Sequence, residues 1–262
     1  SLETQAEITE EMLKGLDPDS SNMELVAGER ISFERLLQGL MIPSGNDAAM
    51  AIAYLLAGSP EAFVEQMNRR ASELGLKDTH FENPHGLHSE NHYTTAADMA
   101  VIAKEAMTHE AFRNVVDIAH IKMPPTNMHE KQRYYINTNG LLSTMRYTSY
   151  YYKGAIGIKT GHTTQAGNCL VGAAVRDGME LITAVFGGKD VSDSHKDTIR
   201  MLDYGFSAYE LITPISKGEM LGEIRVKQAK SRDRVTLSAS DKVTVVVPKG
   251  TSADQLETRL NL

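Results

Sequence analysis

Leu36-Leu37-Gln38-Gly39-Leu40-Met41-Ile42-Pro43-Ser44-Gly45-Asn46-Asp47-Ala48-Ala49 combines two apolar runs with a polar break between them. It reads as a helix, an abrupt break and a second helix. Ser32 supplies the N-cap of the first, which runs to Met41 with Phe33, Leu36, Leu37 and Leu40 on one face. Pro43-Ser44-Gly45-Asn46 interrupts it, and Asp47 starts an alanine-rich helix to about Leu56. Apolar residues surround that second helix almost completely, which predicts burial.

On the N-terminal side, residues 5–15 read as a short helix ended by Gly15 and the Asp17-Pro18-Asp19 turn. Pro60 opens a further helix that Gly75 closes after Leu74. A His-, Asn- and Gly-rich loop covers 79–93, and Thr95 caps a helix with Met99, Ile102, Ala103 and Ala106 inward. Beyond Val116 the pattern turns to strands, at 118–123, 133–137, 156–160, 168–176 and 180–187, with Asp177-Gly178 as a hairpin turn. A helix follows from Ser192 to Tyr209, then short strands at Gly222–Val226, Arg234–Leu237 and Lys242–Val247. This order predicts an α+β enzyme domain over 1–209 and the start of a β-rich domain over 210–262.

The bulk numbers narrow the function classes. In 262 residues, 41% are hydrophobic and 23% charged, as in an ordinary globular chain with a full core. The net charge of -7 argues against a nucleic-acid partner, which would call for a basic stripe. With a single cysteine, Cys169, no disulfide can form within the chain, and its place on a strand reads as a small core residue. No signal peptide opens the sequence, and its longest apolar run, Ala48 to Ala57, is too short to cross a bilayer.

Two motifs carry candidate chemistry. In Ser44-Gly45-Asn46 the hydroxyl can relay a proton and the amide can both donate to and accept from a peptide, while Gly45 permits unusual backbone angles. The bland alternative is a helix cap, because Ser, Asn and Asp are capping residues. Lys159-Thr160-Gly161, on the end of an apolar strand and followed by His162, pairs a cation and a hydroxyl suited to a carboxylate. Here the alternative is a strand end with turn residues. Either tripeptide alone would arise by chance in about one chain in twenty.

Together, and in this order, the two tripeptides resemble signatures of the serine penicillin-recognising enzymes. The whole stretch from Leu36 to Ala49 resembles the D-alanyl-D-alanine carboxypeptidase family, of the low-molecular-weight penicillin-binding type. So do Met67-Asn68, Leu74 to Phe81, Asn83-Pro84-His85-Gly86-Leu87 and Gly157 to Thr163. The likeness runs from about residue 5 to Phe206, and the tail from 210 resembles the start of that family's β-rich second domain.

The resemblance implies a β-lactamase/transpeptidase-like domain: a helical subdomain plus an antiparallel sheet flanked by helices. It implies an acyl-enzyme route that removes the terminal D-alanine from peptidoglycan stem peptides, with β-lactams as acylating mimics and no cofactor or metal. Ser44 would pass a proton to the leaving amine, Asn46 would hold the peptide amide, and Lys159 would supply positive potential. Thr160, beside the side-chain-free Gly161, would bind the free carboxylate, and the His162 N–H would donate to the oxyanion. Localisation would be extracytoplasmic, in the periplasm or at the outer face of the cytoplasmic membrane; the sequence leaves open whether a peripheral membrane anchor follows the C-terminus.

The family's nucleophile and base lie in a Ser-x-x-Lys segment on a helix before the Ser-Gly-Asn motif, and no Ser in these 262 residues has Lys three positions later. The expectation is therefore that the native protein extends toward the N-terminus. Without that central apolar helix a void would cost several kcal/mol.

Rival readings are a non-catalytic peptidoglycan-binding fragment and a metal-dependent peptidase using His80, His85, His88 and His92. His-Glu-x-x-His is absent from the chain. Tyr147, Tyr150, Tyr151 and Tyr152 read as packing and surface residues that could also border a groove. Arg225, Lys227, Lys230, Arg232 and Arg234 read as a solvated face.

Overall fold

A computed structural model describes residues 1–17, 19–225 and 233–259. The chain divides into two compact units, Ser1–Val175 with Glu180–Leu202, and Arg176–Met179 with Asp203–Leu262. The architecture is α+β, as the sequence predicts.

In chain order the first unit holds β1 (Gln5–Glu7), α1 (Glu10–Leu13), β2 (Arg30–Ser32), α2 (Phe33–Met41), α3 (Asn46–Ala57), α4 (Pro60–Glu73), α5 (Ala96–Ala106) and α6 (Glu110–Val116). Strands β3 (His120–Met123) and β4 (Arg133–Ile136) follow, then β5 (Ala155–Thr163), β6 (Gly167–Arg176) and β7 (Met179–Gly188), and helix α7 (Val191–Ala208), of which Arg176, Met179 and the end of α7 from Asp203 fall in the second unit. The helix starts are chemical. Ser32, Ser59 and Thr95 each accept a backbone N–H in the first turn of α2, α4 and α5. Asp177 and Gly178 both take positive φ, 51° and 80°, the requirement of a tight two-residue hairpin.

The predicted helix over 5–15 is a correction. Gln5–Glu7 instead pairs antiparallel with Arg30–Ser32, and only Glu10–Leu13 is helical. Residues 5–7 have no apolar stripe to bury as a helix, and a partner strand satisfies their backbone. Helix α3 is buried over Asn46–Ala49 and Ala51–Ala53, with Met50 half-buried, but Leu55 and Leu56 at its end are exposed. Ile8, Met23, Leu36, Ile52 and Met123 share a core with α2 and α3. A second core joins Ala103, Met107 and Val116 to Ile158, Val171 and Ala173 of a three-stranded sheet ordered β5-β6-β7.

The second unit contains β8 (Tyr209–Ile215), β9 (Met220–Arg225), β10 (Arg234–Ser238) and β11 (Val243–Pro248). They pair antiparallel as β8 with β11 and β9 with β10. Of the basic run, Arg225 and Arg234 sit at the surface in ion pairs with Asp233 and Glu223. Lys227, Lys230 and Arg232 lie outside the described residues, as do Pro18 of the early turn and Val226 of the predicted strand.

Asp47 joins the first core to the break before α3. Its buried carboxylate accepts from the N–H of Met23 (2.9 and 3.0 Å), Leu25 (3.0 Å) and Ala48 (2.9 Å). Asp47→Ala leaves the buried Met23 and Leu25 donors unpaired and should destabilise the first unit by about 3 kcal/mol. Urea unfolding followed by circular dichroism checks this; a loss under about 0.5 kcal/mol, the scale of an ordinary surface change, would contradict it.

Candidate active site

The two motifs meet. Ser44 and Lys159 are 115 residues apart in sequence, yet Lys159 Nζ donates to Ser44 Oγ at 2.8 Å. A second Nζ–H bond runs to the Thr160 carbonyl at 3.0 Å. Ser44 does not cap α3: the capping position is Gly45, which has no side chain to bond. The serine hydroxyl is left for the lysine.

The backbone freedom falls on a different residue from the one the sequence suggests. Ser44 takes the left-handed conformation, φ 68°, whereas Gly45 has φ -67°. Gly45 is needed for close approach instead. A Cβ there would lie 2.7 Å from Asp47 Oδ1 and 2.9 Å from the Gly39 carbonyl. Asn46 is buried at the first position of α3, its N–H held by the Ser21 carbonyl at 2.8 Å. Among the described residues no group bonds its side-chain amide.

The Lys-Thr-Gly segment is not a strand end. Strand β5 continues to Thr163, with Lys159 opposite Val171, Thr160 opposite Leu170, Gly161 opposite Cys169 and His162 opposite Asn168 on β6. Among the described residues β5 pairs with β6 alone, so its other side is an open edge. A cleft of about 530 Å³ borders β5 and reaches across the sheet, lined by Thr160 and His162 of β5, Cys169 and Val171 of β6 and Phe186 of β7, with Phe81, Leu87 and Tyr93; Ser44 and Asn46 do not line it. Packing does not demand the glycine at 161, where a Cβ would meet only Cys169 Cβ at 3.8 Å. Its missing side chain leaves room in the cleft.

Electrostatics favour a lysine that can release a proton. Burial, helped by the nearby Arg146 charge, lowers Lys159 from its usual range to about 8. Arg146 itself lies over the Tyr147 ring, 5.7 Å from its centroid.

The histidine loop is built for shape. His80 Nδ1 is 2.6 Å from the Asn91 carbonyl, while His85 Nδ1 accepts from Leu87 N–H and His92 Nδ1 from Glu82 N–H, each at 3.2 Å. His88 lines the cleft. Among the described residues no three His, Cys, Asp or Glu side chains come together as metal ligands. Cys169 is a correction: it lies on the central strand β6 but is half-buried and lines the cleft, since the facing Gly161 has no side chain to cover it. Tyr147 and Tyr150 pack on His195, with Tyr150 stacked at 4.8 Å; Tyr152 is buried and Tyr151 exposed.

Sequence reasoning missed Thr138, whose hydroxyl lies 2.6 Å from that of Thr160. No local pattern marks it, because the contact spans 22 residues.

A hydroxyl–ammonium pair beside an open strand edge defines a site suited to acyl transfer on an extended peptide. Residues 3–190 match the family described as D-alanyl-D-alanine carboxypeptidase, and the chain belongs to that family. It is 33% identical over 242 residues to the Bacillus subtilis D-alanyl-D-alanine carboxypeptidase DacF, covering 92% of this chain and 60% of the relative. It is 34% identical to Escherichia coli DacA over 90% of this chain and 55% of that protein. The chain thus spans 55–60% of the length of these curated relatives. Among solved structures, Francisella tularensis DacD superposes with a TM-score of 0.74 at 26% identity, over 95% of this chain and 70% of that one. Penicillin binding protein 5 of Haemophilus influenzae gives 0.73 at 32% identity, over 89% and 64%. Among the described residues no helix is long and apolar enough to cross a membrane.

Lys159 should titrate near pH 8, well below an ordinary lysine. Arg146→Gln removes a positive neighbour and should move the midpoint upward. NMR titration of isotopically methylated lysines reads both, and a Lys159 midpoint above 10 would contradict the burial argument.

Proposed function

We propose that the complete protein is a serine-type D-Ala-D-Ala carboxypeptidase. It removes the terminal D-alanine of peptidoglycan stem peptides through an acyl-enzyme and is acylated by β-lactams. The observation that carries this reading is the Lys159–Ser44 hydrogen bond, which joins two motifs that are each weak alone.

In this reading the stem peptide lies extended along the open edge of β5, a backbone-to-backbone mode of recognition. Asn46 bonds the peptide amide, and the Thr160 hydroxyl receives the terminal carboxylate. The His162 N–H serves as one oxyanion donor; loss of such a donor typically costs about 3–4 kcal/mol in the transition state. Ser44 gives its proton to the departing amine and takes one back from Lys159. A lysine held near 8 suits that exchange, because proton transfer is efficient when the donor pKa lies near the working pH.

No Ser-x-x-Lys occurs in the 262 residues, so the acylated serine is assigned to none of them. The substrate class places the reaction outside the cytoplasm, at the cell wall. Residues 210–262 are read as the start of a β-rich domain.

Mass spectrometry of the complete protein with benzylpenicillin should show a single covalent adduct, stoichiometric with protein. A peptidoglycan-binding protein without catalysis would show none. Gly161→Ala should leave the unfolding midpoint within about 2 °C, since its Cβ meets no obstacle, yet slow acylation at least about tenfold by filling the cleft. Unchanged acylation would remove Gly161 from the binding edge.

A further inference from the structure

Resting on the carboxypeptidase reading, we propose that Thr138 is a specificity-determining positioning residue that turns the Thr160 hydroxyl toward the substrate carboxylate. Its hydroxyl lies 2.6 Å from Thr160 Oγ1. Each alcohol can donate one proton and accept others, so the pair can reverse direction. In the structure Thr160 donates to Thr138. When a carboxylate arrives, both O–H bonds rotate: Thr138 donates to Thr160, and the Thr160 proton faces the anion. Hydrogen bonds in such a chain polarise one another, which strengthens the terminal donor.

The lysine is committed elsewhere. Two of its three N–H bonds serve Ser44 Oγ and the Thr160 carbonyl. Selectivity for a free carboxylate then depends on the paired hydroxyls, with Lys159 contributing potential.

The segment around Thr138 is built to hold a side chain still. From 137 to 141 every backbone N–H has a partner: the Ala119 carbonyl for Asn137 (2.8 Å) and the Ile42 carbonyl for Thr138 (3.2 Å). Asn137 Oδ1 receives Asn139 (2.9 Å), and Asn139 Oδ1 receives Leu141 (3.0 Å). Gly140 N–H is accepted by His195 Nε2 at 3.1 Å, while the other ring nitrogen lies 2.8 Å from the Val191 carbonyl. Asn137, Asn139 and His195 are almost fully buried, whereas Thr138 keeps partial exposure. The Ile42 contact also ties Thr138 to the chain two residues before Ser44.

The test uses the complete protein and two acyl-D-alanyl thioesters, one with a carboxylate on the leaving thiol and one with the neutral amide in its place. Thr138→Val keeps the shape but removes the hydroxyl. It should lower kcat/KM for the acidic thioester about 10- to 100-fold, mainly through KM, and leave the neutral one within about twofold. Thr138→Ser should restore the preference. Equal losses on both thioesters, or none on either, would overturn the proposal. If the unmodified protein cleaves neither thioester and forms no penicillin adduct, the carboxypeptidase reading itself falls, an outcome distinct from loss of selectivity in an active enzyme.

Discussion

The buried carboxylate of Asp47 is the joint on which the first unit's site depends. It sits in the first turn of α3, where the helix dipole favours negative charge, and collects N–H bonds from Met23, Leu25 and Ala48. Its closeness forbids a side chain at 45, so the sharp turn falls on Ser44. A serine in left-handed backbone costs on the order of 1 kcal/mol, which the surrounding bonds must offset. The Met23 carbonyl extends the network, accepting from Arg133 (3.0 Å) and Tyr135 (2.7 Å). Arg133 pairs in turn with the buried Glu29 at 2.5 Å. The hydroxyl offered to Lys159 is thus fixed by charge and backbone contacts that take no part in chemistry.

Much of this was legible in the sequence where the physics is local. Ser32, Ser59 and Thr95 accept first-turn N–H groups because capping needs only a short side chain and three following residues. The Asp177-Gly178 turn and the three sheet strands likewise follow from turn chemistry and short-range patterning. Gln5–Glu7 was misread because a three-residue strand exists only through Arg30–Ser32, a partner that no local window contains. Helix α6, at seven residues, and strand β8 carried too little periodicity to be recognised.

The site divides the same way. The meeting of Ser44, Lys159 and Thr160 was legible because two motifs in a fixed order are far rarer than either alone, whereas the roles given to them and to Asn46 are proposals. Thr138 was not, since an ordinary threonine gains its role from one contact across 22 residues. The exchange of duties between Ser44 and Gly45 was hidden for a related reason. A glycine between polar residues reads as conformational freedom, and only the packed structure shows that Asp47 and Gly39 exclude its side chain.

In the proposed reaction, a lysine at 159 would let one small site separate two tasks. An arginine would supply the same charge but could not release a proton near neutral pH. Burial brings Lys159 to about 8, so in the proposed reaction it would serve as a charge at rest and as a proton donor. That dual use requires the ammonium to stay on Ser44, because a direct ion pair with the substrate carboxylate would stabilise the protonated form and raise its pKa. Recognition of the anion is better given to groups that do not titrate. The Thr160–Thr138 pair meets that condition, and a separate set of buried contacts anchors it: His195 and the two asparagines hold the threonine side, Asp47 the serine side. On that proposal, proton transfer and carboxylate selection would be tuned on different scaffolds while meeting at adjacent residues of one strand.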